Sequence, residues 1–535
     1  MKKYLALTLA IFLNLNAFSQ DKPKLVVTIV VDQCKAEYLN RFNPYFEAGG
    51  FDRFFIQGYT FENVHYNYAP TYTGPGHASL FTGATPSVHG IIENDWYDPF
   101  LKRSVYCVED DAMKPVGTLD EGFKRSPANL YATTFSDELK WSQGSNQSYA
   151  ISIKDRSAIL SGGHTADGAF WFDSETGDFA SSSFYGDSLP QWLNDFNARD
   201  LPQDYMMKTW ELSEESEEYK KWGPDNSPFE MQLVPGAPTS FPYDLNKAAR
   251  LNSIKSTPYG NQIIVDLAKA IVNGQDLGAG ESTDYLAVNF SATDYVGHAF
   301  GPRSWEVMDT YIKLDAQLEE LFSFLDSKLG KGTYVVALSS DHGAAENSGF
   351  MNSQNFGKTG LDMISIESSI RDWAEEKGHP QIIAKVFSDR VYLDHQEMAK
   401  LGLSFDAVYE EMESLLYTLP YVHSVYDRRK LPYLSDNDPV GSKIKAGCQD
   451  PRAGDILFVM KPGYMVYSSK GTTHGSVWNY DTHVPILYYG WNIPVGRSYA
   501  FYPITSLAPT LSHLLGTALP SGAFSAPMTE VLETK

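Results

Sequence analysis

The sequence predicts an α/β protein with a doubly wound, mostly parallel central sheet, helices on both faces and inserted subdomains. Three observations carry this. Residues 24–32, KLVVTIVVD, form a continuous β-branched run, the pattern of a strand buried on both faces of a parallel sheet. Similar runs recur at residues 148–154 (SYAISIK), 284–290 (DYLAVNF), 333–341 (TYVVALSSD) and 483–490 (HVPILYYG). Between them lie helical patterns: TTFSDELKWS at 133–142, NQIIVDLAKAIVNG at 261–274 and WEVMDTYIKLDAQLEELFSFLDSKLG at 305–330. Strands alternating with helices build such a fold. Polar residues at the carboxyl ends of its strands face the crevice where ligands bind, and Asp32, Lys154 and Asp341 all stand there.

Two regions break the alternation. Residues 197–250 are rich in Trp, Tyr, Pro and acids and read as an insertion over the site. Residues 365–465 hold IIAKVFSDRVYLD, DAVYEEMESLLYTL and GDILFVMKPGYMVYS, a strand–helix–strand subdomain inserted before the final core strand. Residues 20–535 are therefore expected to form one catalytic domain carrying these two insertions. The first 19 residues, from MKKYLALTLA onward, have two lysines, an apolar run and small residues, the layout of a secretory signal. Asn14 and Asn16 break that run, so it is too short to span a bilayer. Cleavage near Ser19 would leave Gln20 or Asp21 first, and the product is expected in a periplasm or outside the cell.

The net charge of −23 becomes −25 once Lys2 and Lys3 leave with the signal. Such a chain repels nucleic acid and acidic membrane surfaces, so an anionic substrate needs strong local positive charge. Cys34, Cys107 and Cys448 allow one disulfide at most. In an oxidising compartment Cys107–Cys448 is the expected pair, with Cys34 a buried thiol. A monomer is expected.

The chemistry lies in five separated elements. In SATDYVGHAFGP, Asp294 and His298 are spaced i, i+4, which puts both on one face of a helical turn. SSDHGAAE places Asp341 beside His342 at a strand end, GTTHGSVWNYDTHVPILYYG carries His474 and His483, and Asp32 closes the first strand. Divalent ions take such ligands, Zn²⁺ favouring His and carboxylate. Each pair alone is ordinary; their order is specific. Asp, then Thr in the Gly/Pro-rich APTYTGPGHASLFTG (residues 69–83), then D-x-x-x-H, D-H-G, and H-G with D-T-H-V-P resembles the alkaline phosphatase superfamily. The resemblance runs from Asp32 to TSLAPTLSHLLG at 505–516. It is strongest to the secreted PafA-type alkaline phosphatases, which resemble nucleotide pyrophosphatase/phosphodiesterases in their core.

The resemblance implies two Zn²⁺ per chain, one on Asp294, His298 and His474 and one on Asp32, Asp341 and His342, and leaves room for calcium or magnesium. It implies Thr73 as nucleophile and ligand of the attacking-side metal. The residues agree with this: a helix amino end offers free N–H groups and a favourable dipole to a phosphate. Gly74 and Gly76 allow close approach and Pro75 suits a first turn. Thr71 is the rival hydroxyl, ranked lower because Thr73 adjoins Gly-Pro-Gly. Asn94 in IIENDWYD matches the asparagine that binds a phosphoryl oxygen, and Lys154 with Arg156 in SIKDRSAIL match the K-x-R pair that diesterases lack. That pair suits the two charges of a monoester. With two Zn²⁺ and three Asp ligands, Lys154 and Arg156 bring the site to about +3. Phosphate monoesters are thus the expected substrates; a diesterase of the same fold and a non-catalytic exported metal- or phosphate-binding protein are the rivals. His77 and His483 read as supporting or structural and His164 as packing. His65, His89, His379, His395, His423 and His513 carry no supporting spacing. The segment lacks the Cys/Ser-x-Pro-x-Arg pattern of sulfatases.

Overall fold

The computed structural model describes residues 22–532 except 249 and 436. The expected signal, residues 1–19, lies outside them. Among the described residues no helix is long and apolar enough to cross a membrane.

Numbered along the chain, the large sheet holds β1 (Leu25–Val31), β2 (Tyr59–His65), β3 (Pro115–Val116), β4 (Ser148–Ser152), β5 (Gly168–Phe172), β6 (Phe179–Ser182), β7 (Asp284–Phe290), β8 (Tyr334–Ser339), β9 (His483–Gly490), β10 (Gly496–Ser498) and β11 (Tyr502–Pro503). These eleven strands run in the order β10-β2-β9-β8-β1-β7-β4-β5-β6-β3, with β11 also on β2. The five at the centre, β8-β1-β7-β4-β5, are mutually parallel. The run at 483–490 departs from the pattern of a parallel strand: β9 is antiparallel to both β8 and β2. It is nevertheless buried on both faces, with Leu487 and Tyr489 in one core cluster and Val484, Ile486 and Tyr488 in the other, so its composition does not reveal its direction.

β1 shows why the central runs are uniformly apolar. Leu25, Val27, Ile29 and Val31 enter one core cluster with residues of the helices Tyr259–Gly274 and Trp305–Leu329. Val26 and Val30 enter the other, with residues of the helices Thr73–Thr82, Phe135–Gln143 and Asp155–Gly162. Alternate side chains point to opposite faces, and each face carries helices.

Register brings the strand ends together. Val30 pairs with both Asn289 and Ser339, and Asn289 with Ser152. The carboxyl ends of β1, β7, β4 and β8 therefore lie in one row. Since β9 runs the other way, with Ile486 opposite Ser339, the loop preceding it arrives at the same edge. Residues 383–460 contain a separate four-stranded antiparallel sheet, Ile383–Val386, Arg390–Leu393, Ile456–Met460 and Val422–Asp427 in that order, with the helix Phe405–Thr418 in its own core cluster. It holds two strands more than the strand–helix–strand pattern anticipates: residues 383–393 turn back on themselves between Val386 and Arg390, and Val422–Asp427 forms a further strand after the helix. Residues 197–250 are mostly irregular and dock through Met231 N–H on Ala299 O and Phe229 O under Gly471 N–H.

The expected Cys107–Cys448 disulfide is absent: all three cysteines are free thiols. Cys107 is buried in a core cluster of the large sheet, whereas Cys448 packs in a separate cluster after the helix Pro439–Gly447. Sequence counts cysteines but cannot bring two side chains within bonding reach. Cys34 is buried, as expected.

Candidate active site

Thr73 is the first residue of α1 (Thr73–Thr82), entered from extended Tyr72. Its Oγ1 lies 3.3 Å from Arg156 Nη2, 3.5 Å from Lys154 Nζ and 3.5 Å from His342 Nε2. Thr71, the rival hydroxyl, donates instead to Ser476 O at 2.9 Å and is committed elsewhere.

The glycines work differently from the sequence expectation. A Cβ on Gly76 would lie 2.3 Å from Asp341 O, and one on Gly74 would meet Asn94 Oδ1, Cys107 Sγ and Glu93 O at 3.2–3.3 Å. Their lack of side chain lets α1 press onto neighbouring protein backbone. Nor is the first-turn donor of Gly74 free: its N–H donates to Asn94 Oδ1 at 2.8 Å. That bond leaves the Asn94 amide NH₂ as the group able to reach an anion.

Four strand ends supply the remaining groups. Asp32 follows β1, Lys154 caps α2 (Asp155–Gly162) after β4, and Asp341 and His342 follow β8. Asp294 and His298 lie on one face of α3 (Ala292–Phe300) after β7, with Asp294 Oδ1 3.1 Å from His298 Nε2. The loop before β9 brings His474 Nε2 to 3.7 Å from Asp294 Oδ1. His342 Nε2 is 3.4 Å from both Asp32 Oδ1 and Asp341 Oδ2.

Two sets have ligand atoms within 4.8 Å of one another: Asp32, Asp341 and His342, and Asp294, His342 and His474. His342 is common to both, and His298 joins through Asp294. Each imidazole has its Nδ1 on a backbone carbonyl: His298 on Thr472 at 2.7 Å, His474 on Thr71 at 2.8 Å and His342 on Gly343 at 3.0 Å. Donation there leaves every Nε2 lone pair facing the carboxylates, the arrangement that orients metal-binding histidines. Asp32 Oδ1 and Asp341 Oδ2 are buried without a hydrogen-bond partner. Oxygen and imidazole donors with orphaned carboxylate atoms fit divalent cations.

The electrostatics agree. Lys154 Nζ bridges Asp32 Oδ2 and Asp294 Oδ2, both at 2.6 Å. Burial would lower this amine, but Asp294 and Asp32 outweigh it and hold Lys154 above its usual range. One amine does not balance the buried carboxylates: burial pushes Asp32 up to about 6, and burial with repulsion from Asp32 raises Asp341 well above the ordinary carboxylate range. Burial also acts on Asp294, but His298 and Lys154 hold it well below the ordinary range.

Several contributors carry no sequence signal. Gln33 Nε2 donates to Asp294 Oδ1 at 2.6 Å and its N–H to Asp341 Oδ1 at 3.2 Å, joining the two carboxylates. Only its place after Asp32 could have marked it. Tyr106 OH sits between Asp155 Oδ1, at 2.5 Å, and Arg156 Nη1, at 3.2 Å. Arg390, from the four-stranded subdomain, is fully buried, paired with Asp389 at 2.7 Å and 3.5 Å from Glu93 Oε2, next to Asn94. His77 Nδ1 bonds Thr73 O at 2.9 Å, and burial takes its pKa down to about 3. His483 bonds Glu62 O and stacks on His65, and His164 Nε2 bonds Ala132 O.

A large mixed sheet with acids and imidazoles gathered at its switch edge defines the class, and comparison with known proteins agrees. Residues 26–484 match the family model "Type I phosphodiesterase / nucleotide pyrophosphatase". The chain is 42% identical over 519 residues to alkaline phosphatase PafA of Elizabethkingia meningoseptica, covering 96% of this chain and 95% of that one. It is 36% identical over 516 residues to alkaline phosphatase PhoV of Synechococcus elongatus, covering 96% and 93%. A crystal structure of wild-type PafA superposes with a TM-score of 0.93 at 41% identity, covering 96% of this chain and all of that one. This chain belongs to the type I phosphodiesterase/nucleotide pyrophosphatase family, within the alkaline phosphatase superfamily. It is a hydrolase of the phosphate-ester family.

Proposed function

We propose that the chain is an exported, two-zinc alkaline phosphatase that hydrolyses phosphate monoesters through a covalent phosphothreonine on Thr73. The observation that carries this reading is the convergence of Lys154, Arg156 and His342 on Thr73 Oγ1 within 3.5 Å. Asp294, His298 and His474 would hold one zinc; Asp32, Asp341 and His342, with Thr73, the other. Bound there, zinc supplies Lewis-acid neutralisation of charge on the attacking and leaving oxygens. Lys154, Arg156 and the Asn94 amide take the non-bridging phosphoryl oxygens. Thr73 Oγ1 gives up its proton to solvent and forms the bond to phosphorus as the ester oxygen departs on the opposite side, leaving as the alcohol once it takes up a proton. Water then displaces Thr73, releasing phosphate and restoring the hydroxyl. The amino-terminal run from MKKYLALTLA supports export.

Thr73→Ala tests this. The variant is expected to lose p-nitrophenyl phosphate turnover while elemental analysis still finds about two zinc per chain, because the fold rather than the hydroxyl holds the ligands. Retention of most of kcat would refute the nucleophile. Faster hydrolysis of bis-p-nitrophenyl phosphate by the unaltered enzyme would favour a diesterase.

A further inference from the structure

Beside the site lies a cavity of about 260 Å³, just below the ~300–1,000 Å³ usual for small-molecule pockets. Tyr72 and His474 form its inner wall, their rings edge-to-face at 5.6 Å. Its outer wall comes from the segment that carries the inserted subdomain: Phe387, Met460, Met465 and Val466. Lys154, Arg156 and Asn94 do not line it. Its charged side chains are Asp389 and Asp481, and no lysine or arginine stands among its described lining residues. Asp389 is engaged by Arg390 through bonds of 2.8 and 2.7 Å, and Asp481 accepts the Ser476 N–H at 2.8 Å.

We infer that this cavity is the binding site for the ester's organic half, and that it selects uncharged aromatic or compact aliphatic alcohol portions. The inference rests on the phosphatase reading above. In that reading His474 belongs to the ligand set on the side of the departing oxygen, while Lys154, Arg156 and Asn94 hold the other oxygens. A cavity that touches His474 and none of those three therefore receives the group attached to the departing oxygen. Its walls are methionine, phenylalanine and valine, which gain by covering apolar surface and, in methionine, adapt to its shape. An alcohol bearing a second phosphate would be buried among apolar and acidic side chains with no lysine or arginine lining the cavity to meet its charge, which is costly. The subdomain thus sets specificity without supplying a group to the chemistry.

The test fills the cavity from its outer wall, with Val466→Trp and, independently, Ser388→Phe, Ser388 lining the cavity next to Phe387. Both are made in the zinc-loaded enzyme and checked for an unchanged melting temperature. For 1-naphthyl phosphate, kcat/KM is expected to fall at least tenfold, while for methyl phosphate it changes less than twofold. In a Thr73→Ala background, calorimetry is expected to show the same split in Kd. Two folded variants that affect both esters equally, or neither, would overturn the inference. Should one variant fail to fold, the other decides by the same criteria. If the unaltered enzyme turned over neither ester, the phosphatase reading itself would fail, a result distinct from loss of the split.

Discussion

Lys154 performs two tasks at once: it bridges the Asp32 and Asp294 carboxylates, and it stands 3.5 Å from the Thr73 hydroxyl. Arg156 reaches the same hydroxyl and is steadied by Tyr106. A monoester presents one more charged oxygen than a diester, and charge-assisted bonds contribute about 1.5–3 kcal/mol each. Lys154→Ala/Arg156→Ala is therefore expected to cost about 10²–10⁴ in monoester kcat/KM by the same arithmetic. The diester should lose at least tenfold less, since the pair recognises a charge it lacks. Parallel kinetics on p-nitrophenyl phosphate and bis-p-nitrophenyl phosphate check this. Equal losses on both would mean that the pair only supports the fold.

At the scale of elements, the decisive contact is α1 against the chain leaving β8. Gly76 permits it, since a Cβ there would lie 2.3 Å from the Asp341 carbonyl oxygen and 2.8 Å from its Cβ. Neither side can yield cheaply: α1 is buried along its whole length and Asp341 is completely buried. Overpacking of this kind costs about 1–3 kcal/mol. Gly76→Ala is expected to lower the melting temperature and to cut kcat at least tenfold, because Thr73 and Asp341 must move apart together. Normal activity in a thermally unchanged Gly76→Ala protein would show that the contact relaxes freely. Sequence marks the glycine-rich segment as special, but its text is equally suited to approaching a phosphate; the partner is a chain segment more than 260 residues away.

For the molecule as a whole, two buried carboxyls stand outside the site: Glu230 in the 197–250 segment and Glu306 on the helix Trp305–Leu329, where Tyr243 of that segment donates to Glu306 at 2.6 Å. Burial and repulsion from Glu306 push Glu230 up to about 9; burial pushes Glu306 up to about 8 despite the hydrogen bond from Tyr243. Both carboxyls are raised in the folded state above the usual 4.5. Their contribution is thus complete below about pH 4.5 and is lost as pH climbs towards 8–9. Glu306→Gln keeps the neutral shape without the ionisation. It is expected to raise the melting temperature at pH 9 relative to pH 5 by about 1–2 °C compared with the unaltered protein. Scanning calorimetry at the two pH values checks this, and an unchanged difference would contradict it. The subdomain of residues 383–460 and the central sheet were visible as β-rich text, but the direction of β9 and the absence of a Cys107–Cys448 bond were not. Both depend on which chain lies alongside, a property that no local window of residues contains.

Local pattern alone marks β1, β4, β7, β8 and β9, but not β5, through their apolar runs, and it marks the chemical inventory near their ends: Asp32, Lys154, Asp294, His298, Asp341, His342 and His474. Local pattern suffices for these because strand burial and the i, i+4 spacing are short-range properties. How closely those groups meet, with His342 shared between the two sets, is a matter of the fold. The fold commits the Thr71 hydroxyl to the Ser476 carbonyl and the Gly74 N–H to Asn94, and it brings Gln33, Tyr106 and Arg390 to the site's edge. The physical reason is register: pairing Val30 with both Asn289 and Ser339 puts distant strand ends in one row, and only then do their side chains come within reach of one another.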